Sequence, residues 1–508
     1  MDGRPIKKLL VANRGEIALR IIRSARALGI RTVAVYSAAD AAMTHVVAAD
    51  EARFIGPAEA AHSYLNLAAI IAAAKASDAD AIHPGYGFLS ERPEFARAAR
   101  ENGLTFVGPA AEVMASLGDK VAARRLAQKA GVQVVPGIDT GDLAAARRFG
   151  AQAGFPLLVK AAAGGGGRGM RVVADEPALA GALEAAAREA QAAFGDGRVF
   201  LERYLARPRH VEVQLLGDNY GGMAALGERD CSIQRRHQKL IEESPAPGIS
   251  ERLRARIIEA ALTLARTAGY SNAGTAEFLV DGDEFFFLEV NARLQVEHPI
   301  TELRFGCDLV AEQLKLASGE RVSTPLAPRG AAIECRINAE EAEHDFRPAT
   351  GRVLRLRLPS GPGVRVDTHL GLGMEISPFY DSLIAKLICY GADREQARRR
   401  MLVALGEFSL LGLSSTAAFL RDIIASEDFT RADLSTRFIP EFFTKWRPSE
   451  DQLELALVAA AMVERGMLAA DAACVKTTSS DHQAVAHSPW QGLGSFELWA
   501  RATGHGLE

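Results

Sequence analysis

Between Glu289 and Glu297 the chain alternates without a break: Glu289, Asn291, Arg293, Gln295 and Glu297 are polar, and Val290, Ala292, Leu294 and Val296 are apolar. Period two is the strand period, so an extended segment puts all five polar groups on one face. A half-buried strand with a solvated outer face shows the same alternation. Such a face ordinarily carries Lys, Thr and Ser, whereas this one carries carboxylates, amides and a guanidinium in close succession. Carboxylates and an Asn oxygen are ligands for a hard cation. The Arg and Gln beside them bind anions. Fully extended, the segment spans roughly 26 Å, so one end can hold a metal and the other an anion. Bringing the two within reacting distance needs a bend. The strand is therefore predicted to end near Ala292 and continue as a loop.

A second carboxylate lies upstream. Thr275 to Val280 and Phe285 to Glu289 flank Asp281-Gly282-Asp283-Glu284, a hairpin signal. Glu277 and Glu289 share a face only if the loop has an odd residue count or a bulge corrects the register, and such a correction is predicted. Facing carboxylates repel. A divalent cation between them, with Asn291 as a further oxygen donor, accounts for the pair. The chain also carries Leu157 to Lys160, a strand pattern, followed by Ala161 to Ala163, four glycines (Gly164 to Gly167), Arg168, Gly169 and Met170. Successive glycines maximise the entropy cost of ordering. They read as a mobile loop whose amides close over phosphates; the alternative is a flexible linker. No Gly-Lys-Ser/Thr closes it, so it is not a Walker A loop. Beside phosphates, the cation is expected to be Mg2+ or Mn2+. The densest basic cluster, Arg229, Arg235, Arg236, His237 and Lys239, reads as a local anion site, with a solvated loop as the alternative. Glu202 closes a strand pattern where an acid can accept from adenine or ribose, and Tyr86 follows another strand end.

The elements that must position these groups alternate at first. Leu9 to Ala12, Thr32 to Tyr36, Ala81 to His83 and Thr105 to Val107 read as strands, with a helix from Glu16 to Leu28 between the first two. That alternation predicts a parallel, doubly wound sheet. Its first turn, Asn13-Arg14-Gly15-Glu16, lacks GxGxxG, so a Rossmann-like scaffold without a dinucleotide is expected. A helix from Val121 to Ala130, a second strand at Arg171 to Val173 and an Ala-rich helix at Glu184 to Ala193 follow. Glu242 to Gly248 reads as an irregular loop, and the pattern after Ala331 is mostly antiparallel. The fold class is α/β, α+β overall. The expected domains are an N-terminal Rossmann-like domain over about 1–120 and a second region over about 121–325 with a lid at 133–204. A mostly antiparallel domain follows over about 326–447, then a helical linker and the start of a further module over about 448–508. Net charge is −4, which gives no global drive toward nucleic acid or anionic membrane. The apolar run Leu455 to Val463 is far short of the ~20 residues of a membrane span. Cys231, Cys307, Cys335, Cys389 and Cys474 form no CxxC pair and predict a reducing, cytoplasmic setting.

Taken together, Ala12 to Ala18, His83 to Glu91, Gly164 to Met170, Glu228 to Lys239 and Glu289 to His298 resemble the biotin carboxylases, the ATP-grasp component of biotin-dependent acyl-CoA carboxylases. The resemblance runs colinearly from about residue 5 to 447. Ser488 to Gly494 is similar to the segment that precedes the biotin carrier in α chains of the 3-methylcrotonyl-, geranyl- or propionyl-CoA carboxylase type. The resemblance implies ATP and two Mg2+ or Mn2+ ions as cofactors. Biotin would come on a carrier domain or protein, with a carboxyltransferase subunit as a further partner and a homodimer as the common state. It implies nucleotide contacts at Lys120, Lys160, Gly166, Gly167, Met170, Glu202, Arg203, Tyr204, Leu205, His210 and His237, together with Glu277 and Glu289. It implies metal ligands at Glu277, Glu289 and Asn291 and a bicarbonate pocket of Lys239, Arg293, Gln295 and Val296. Glu297 would be the general base, Arg336 would steady the biotin enolate, and Tyr86 and Asp381 would lie near biotin.

The implied reaction agrees with the residue types. A carboxylate can take the bicarbonate proton as it attacks the γ-phosphate, while cations hold the anion in line. Carboxyphosphate would then break to CO₂ and phosphate, and that phosphate could deprotonate biotin beside Arg336. Ala161-Ala162-Ala163 lacks the hydroxyl residue usual before the glycines, and Ser415-Thr416-Ala417 has Ala where Asn is common. No Met-Lys-Met occurs, so biotin is expected from another protein or from chain beyond this sequence. Alternative readings are another ATP-grasp carbon–nitrogen ligase and a non-catalytic nucleotide-binding subunit.

Overall fold

The structure, a computed structural model, describes residues 4–162, 170–323 and 326–464. Gly166, Gly167, Cys474 and the Ser488 to Gly494 stretch lie outside the described residues. The chain divides into two compact units, Met1–Arg447 and Pro448–Glu508. In the second, the helix Glu450–Glu464 is described.

The first five strands, β1 (Lys8–Val11), β2 (Arg31–Ser37), β3 (Glu51–Gly56), β4 (Ala81–His83) and β5 (Thr105–Phe106), form a parallel sheet in the order β3-β2-β1-β4-β5. Leu9, Leu10 and Val11 are fully buried because helices cover both faces, which explains a continuous apolar run in place of alternation. Helix α1 (Gly15–Ala27) follows β1. The loops after β1 and β4 meet at the carboxyl edge, where ligands of open α/β sheets bind. Asn13 joins them: its Nδ2 donates to the carbonyls of Pro84 and Tyr86, each at 2.8 Å. Gly85 has φ of +63°, and a Cβ there would sit 2.8 Å from that amide nitrogen, so the approach requires glycine.

A four-stranded sheet carries the lid pattern: β6 (Gly137–Asp139), β7 (Leu157–Ala161), β8 (Arg171–Val173) and β9 (Val199–Arg203), in the order β6-β9-β7-β8. The β7–β8 pair is the expected antiparallel return on either side of the glycine loop. The Ala-rich helix, Leu179–Phe194, contributes Leu183 and Ala186 to the lid core with Leu157, Val159 and Leu201.

The largest sheet has eight strands. Six of them are β10 (Arg209–Gly217), β11 (Met223–Arg235), β12 (Gln238–Ser244), β13 (Asn272–Asp281), β14 (Glu284–Asn291) and β15 (Ala331–Asn338). They run β14-β13-β10-β11-β12-β15 and continue into the strands Leu383–Gly391 and Val364–Thr368. One expectation changes here. Glu242 to Ser244 is strand, paired with Ala332 to Glu334, and not irregular loop. The same pairing of β12 with β15 carries the sheet across residue 326. Among the described residues, no helix is long and apolar enough to cross a membrane.

Candidate active site

The β13–β14 hairpin carries the metal-type residues. Its turn, Gly282-Asp283, has an even residue count, and Asp281 faces Glu284. An uncorrected register would turn Glu289 to the core face. Instead the pairing jumps from Phe278↔Phe287 to Glu277↔Glu289, and the extra residue, Leu288, forms the predicted bulge. Glu277 and Glu289 therefore face each other, and Asn291 lies opposite Thr275.

The row extends further than the hairpin. Arg229 faces Glu212, Glu212 faces Glu277, and Glu277 faces Glu289, so one level of the sheet crosses β11, β10, β13 and β14. Adjacent carboxylates destabilise a sheet unless cations intervene. Arg229, fully buried, takes Glu212 from behind. Lys239 takes it from the front, with Nζ 2.5 Å from Glu212 Oε2, 2.8 Å from Glu277 Oε1 and 2.7 Å from Glu297 Oε1. Burial pushes the Lys239 ammonium down, but Glu212, Glu277 and Glu297 hold it well above 10.5. Glu277 also lies 2.9 Å from His210 Nε2 and accepts from Asn291 Nδ2 at 2.8 Å and Gln295 Nε2 at 3.1 Å.

Glu289 has less cationic support. Burial, and then Glu277, push its carboxyl up, and Lys120 stands 3.9 Å away. Glu277, Glu289 and Asn291 fit a divalent cation. They offer carboxylate and amide oxygens on one face, with Glu289 lacking a close cation.

The strand ends at Asn291, and helix His298–Phe305 begins just beyond Glu297 with Pro299 in its first turn. Residues 292–297 are the predicted loop. Arg293 reaches Glu91 Oε2 at 3.0 Å, Asn291 Oδ1 at 3.0 Å and Gln295 Oε1 at 3.0 Å. Glu297 is fully buried and clamped by Lys239 and by Arg336 Nη2 at 2.9 Å. Burial pushes its carboxyl up, but Lys239, Arg336 and Arg229 together hold it well below 4.5. Arg336 is itself anchored to Glu242 Oε1 at 2.6 Å. Cys231 Sγ is 3.8 Å from Glu297, but burial and then Glu212 push its thiol well above 9.0, so it is not a thiolate nucleophile.

A cavity of about 1080 Å³ opens over these groups. Tyr86, Lys120, Lys160, Met170, Glu202, Arg203, Tyr204, Leu205, His210, His237, Lys239, Glu277, Glu289, Asn291, Arg293, Gln295, Val296, Arg336 and Asp381 line it. Glu297 lies just behind that wall. Lys160 Nζ is 2.5 Å from Glu202 Oε2, and Arg124 holds the other oxygen at 2.7 Å, so a phosphate would compete with Glu202 for Lys160. Asp119 caps helix Lys120–Lys129 and places Lys120 at its start. His237 sits in a two-residue turn between β11 and β12, with φ of +49° at Arg236 and +65° at His237. Non-glycine residues there are strained, a feature that gathers at ligand sites.

The basic cluster is not one anion site. Arg229 is buried behind Glu212, and Arg235 and Arg236 both pair with Asp345, Arg235 also lying over the Phe346 ring, while His237 and Lys239 face the cavity. Several contributors went unassigned from sequence. Glu212 and Glu91 hold Lys239 and Arg293, and Gln234 Nε2 lies 2.7 Å from His210 Nδ1. Glu212 could have been found, since it shares the period-two face of His210 and Gln214.

Three family models match in sequence order. "Biotin carboxylase, N-terminal domain" covers residues 5–114, "Carbamoyl-phosphate synthase L chain, ATP binding domain" covers 119–324, and "Biotin carboxylase C-terminal domain" covers 334–441. A biotin carboxylase of Pseudomonas aeruginosa is 48% identical over 440 residues, covering 85% of this chain and 98% of that protein. The mitochondrial methylcrotonoyl-CoA carboxylase subunit alpha of Dictyostelium discoideum is 43% identical over 506 residues, 97% of this chain and 71% of that protein. In structure, the biotin carboxylase domain dimer of the Hydrogenobacter thermophilus 2-oxoglutarate carboxylase, crystallised with MgADP and bicarbonate, superposes with a TM-score of 0.83. It is 43% identical, over 86% of this chain and 98% of that one. With its fold, its cavity and relatives matched over nearly their whole length, the chain belongs to the biotin carboxylases, ATP-dependent ligases that carboxylate biotin.

Proposed function

We propose that the loop 292–297 and the row of carboxylates behind it divide this reaction among named residues. Bicarbonate binds at Arg293, Gln295, the Val296 backbone and Lys239, and Glu297 takes its proton as it attacks the γ-phosphate of ATP. The observation that carries the reading is Glu297 wedged between Lys239 at 2.7 Å and Arg336 at 2.9 Å. In the free protein these cations make Glu297 a weak base. An anion bound at Lys239 offsets their charge and raises the proton affinity of Glu297, so substrate binding itself prepares the base.

Lys120, Lys160 and His237 face the phosphates. Glu202 and Leu205 border the adenine and His210 the ribose, with Met170, Arg203 and Tyr204 closing that end. Glu277, Glu289 and Asn291 would hold Mg2+ or Mn2+, which neutralises phosphate charge when bound. On the other side of Glu297, Arg336 steadies the deprotonated ureido group of biotin, beside Tyr86 and Asp381. The glycine loop, with Gly166 and Gly167, would exclude water.

We also propose that biotin arrives on a carrier domain or protein. A carboxyltransferase subunit then uses the product, in an enzyme of the methylcrotonyl-, geranyl- or propionyl-CoA type. The likeness to a methylcrotonoyl-CoA carboxylase subunit along 97% of this chain supports that type. A homodimer, a cytoplasmic setting and domain limits near residues 120, 325 and 447 belong to the same reading.

ADP release, measured with bicarbonate and free biotin and then with each omitted, tests the reading. Release should stop without bicarbonate and rise with biotin. Bicarbonate-dependent release that biotin does not raise would favour another ATP-grasp ligase. The metal assignment has its own test. Thermal melts of the Glu289→Gln variant should lose the extra stabilisation that Mg2+ adds to ADP while keeping that of ADP alone. An unchanged Mg2+ increment would remove Glu289 from the metal site.

A further inference from the structure

Lys386 has no part in the roles above, yet it stands directly behind them. It lies on the strand Leu383–Gly391, and its side chain is 0% exposed. Its Nζ donates to the Val296 carbonyl at 3.1 Å. The same nitrogen is 3.2 Å from Glu16 Oε2 and 3.8 Å from Asp367 Oδ2, and 5.9 Å from the centre of the Tyr86 ring. Four separate stretches of chain meet at this ammonium: the first turn of α1, the loop 292–297, the strand Val364–Thr368 and the strand Leu383–Gly391 that carries it.

Stability is a poor reason for such an arrangement. Desolvating an ammonium and a carboxylate is costly, and buried pairs are often replaced by apolar residues at little or no loss. Position is a better one. Within the loop, the Leu294 carbonyl accepts from Arg293 Nη1 at 3.2 Å. The Gln295 carbonyl lies 2.8 Å from His298 Nδ1, and the Glu297 carbonyl accepts from Ile300 N at 3.3 Å. Those partners are local. The Val296 carbonyl accepts instead from a residue ninety positions later in the chain. Val296 lies between Gln295 and Glu297, so the orientation of its peptide sets where both side chains point.

We propose that Lys386 is a positioning residue for bicarbonate: it fixes the Val296 peptide, and Glu16 in turn fixes Lys386. This rests on the reading that the loop 292–297 binds bicarbonate. Glu16 is buried in α1 and also lines the cavity beside Tyr86, so the pair ties the biotin side of the site to the bicarbonate side.

The test is steady-state ADP release with free biotin in Lys386→Met, Lys386→Arg, Glu16→Gln and the Glu16→Gln/Lys386→Met double variant, with folding followed by thermal melts. Met conserves the volume but not the donor. Losing a charge-assisted hydrogen bond should raise the bicarbonate KM of Lys386→Met about tenfold, with the ATP KM within about twofold. Lys386→Arg keeps a charged donor and should recover most of the loss. Glu16→Gln should raise the bicarbonate KM by a smaller factor, and the double variant should be no worse than Lys386→Met, because both act through one contact. A merely structural lysine would not move the bicarbonate KM selectively. Equal changes in both KM values, an unchanged bicarbonate KM or a Lys386→Arg variant no better than Met would overturn the proposal. If Lys386→Met does not fold, Glu16→Gln decides, and an unchanged bicarbonate KM there overturns it. Glu297→Gln separates the two layers: substantial turnover in that variant removes the loop reading itself. An inactive Glu297→Gln beside a Lys386→Met with ordinary bicarbonate KM removes the Lys386 proposal alone.

Discussion

Glu297→Gln will lower bicarbonate-dependent ADP release by roughly 10²–10⁴-fold, the range typical of a lost general base, while leaving ATP binding nearly unchanged. The amide is close to the carboxylate in shape and can still occupy the space between Lys239 and Arg336. It cannot accept a proton, and it removes a negative charge that now neutralises two buried cations. Those cations remain partnered, Lys239 by Glu212 and Glu277 and Arg336 by Glu242, so the variant should fold. Turnover equal to that of the wild type would remove Glu297 as the base.

Arg336→Ala should separate the two halves of the reaction. Arg336 stands on the far side of Glu297 from Lys239, held by Glu242 on the neighbouring strand. Its loss should lower biotin carboxylation by about 10²–10³-fold, the range for a removed oxyanion-stabilising donor. Bicarbonate-dependent ADP release should fall much less. Some loss there is expected, because Arg336 also holds the Glu297 carboxylate in place. Parallel assays of ADP and of carboxylated biotin distinguish the outcomes. Equal loss of both activities would count against a separate enolate role and make Arg336 part of the Glu297 site.

The first half of this arrangement was legible in the residue pattern, because it is local. The alternation from Glu289 to Glu297 marked the polar face, and residue parity around Gly282-Asp283 required the bulge found at Leu288. The bend after Asn291 followed from the need to bring a metal and an anion together. The second half depends on pairings between distant segments, which periodicity does not carry. Glu212 matters because β10 pairs with β13 and brings it opposite Glu277. Arg229 and Lys239, ten positions apart in one basic cluster, separate into a buried counter-ion and a cavity cation because they lie on different strands. Asn13 and Lys386 each reach a partner more than seventy residues away. The continuity of the large sheet past residue 326 is likewise a matter of which strands meet, here β12 and β15.

The most direct measurement of the central claim is the ATP-dependent transfer of label from radiolabelled bicarbonate to free biotin by the wild-type protein, counted after unreacted label has been swept out with unlabelled CO₂ at neutral to alkaline pH, where carboxybiotin survives, and set against ADP formed. Labelled biotin should appear with ATP and Mg2+ present, and it should vanish in Arg336→Ala while ADP release persists. Bicarbonate-dependent ADP release with no label on biotin would contradict the account.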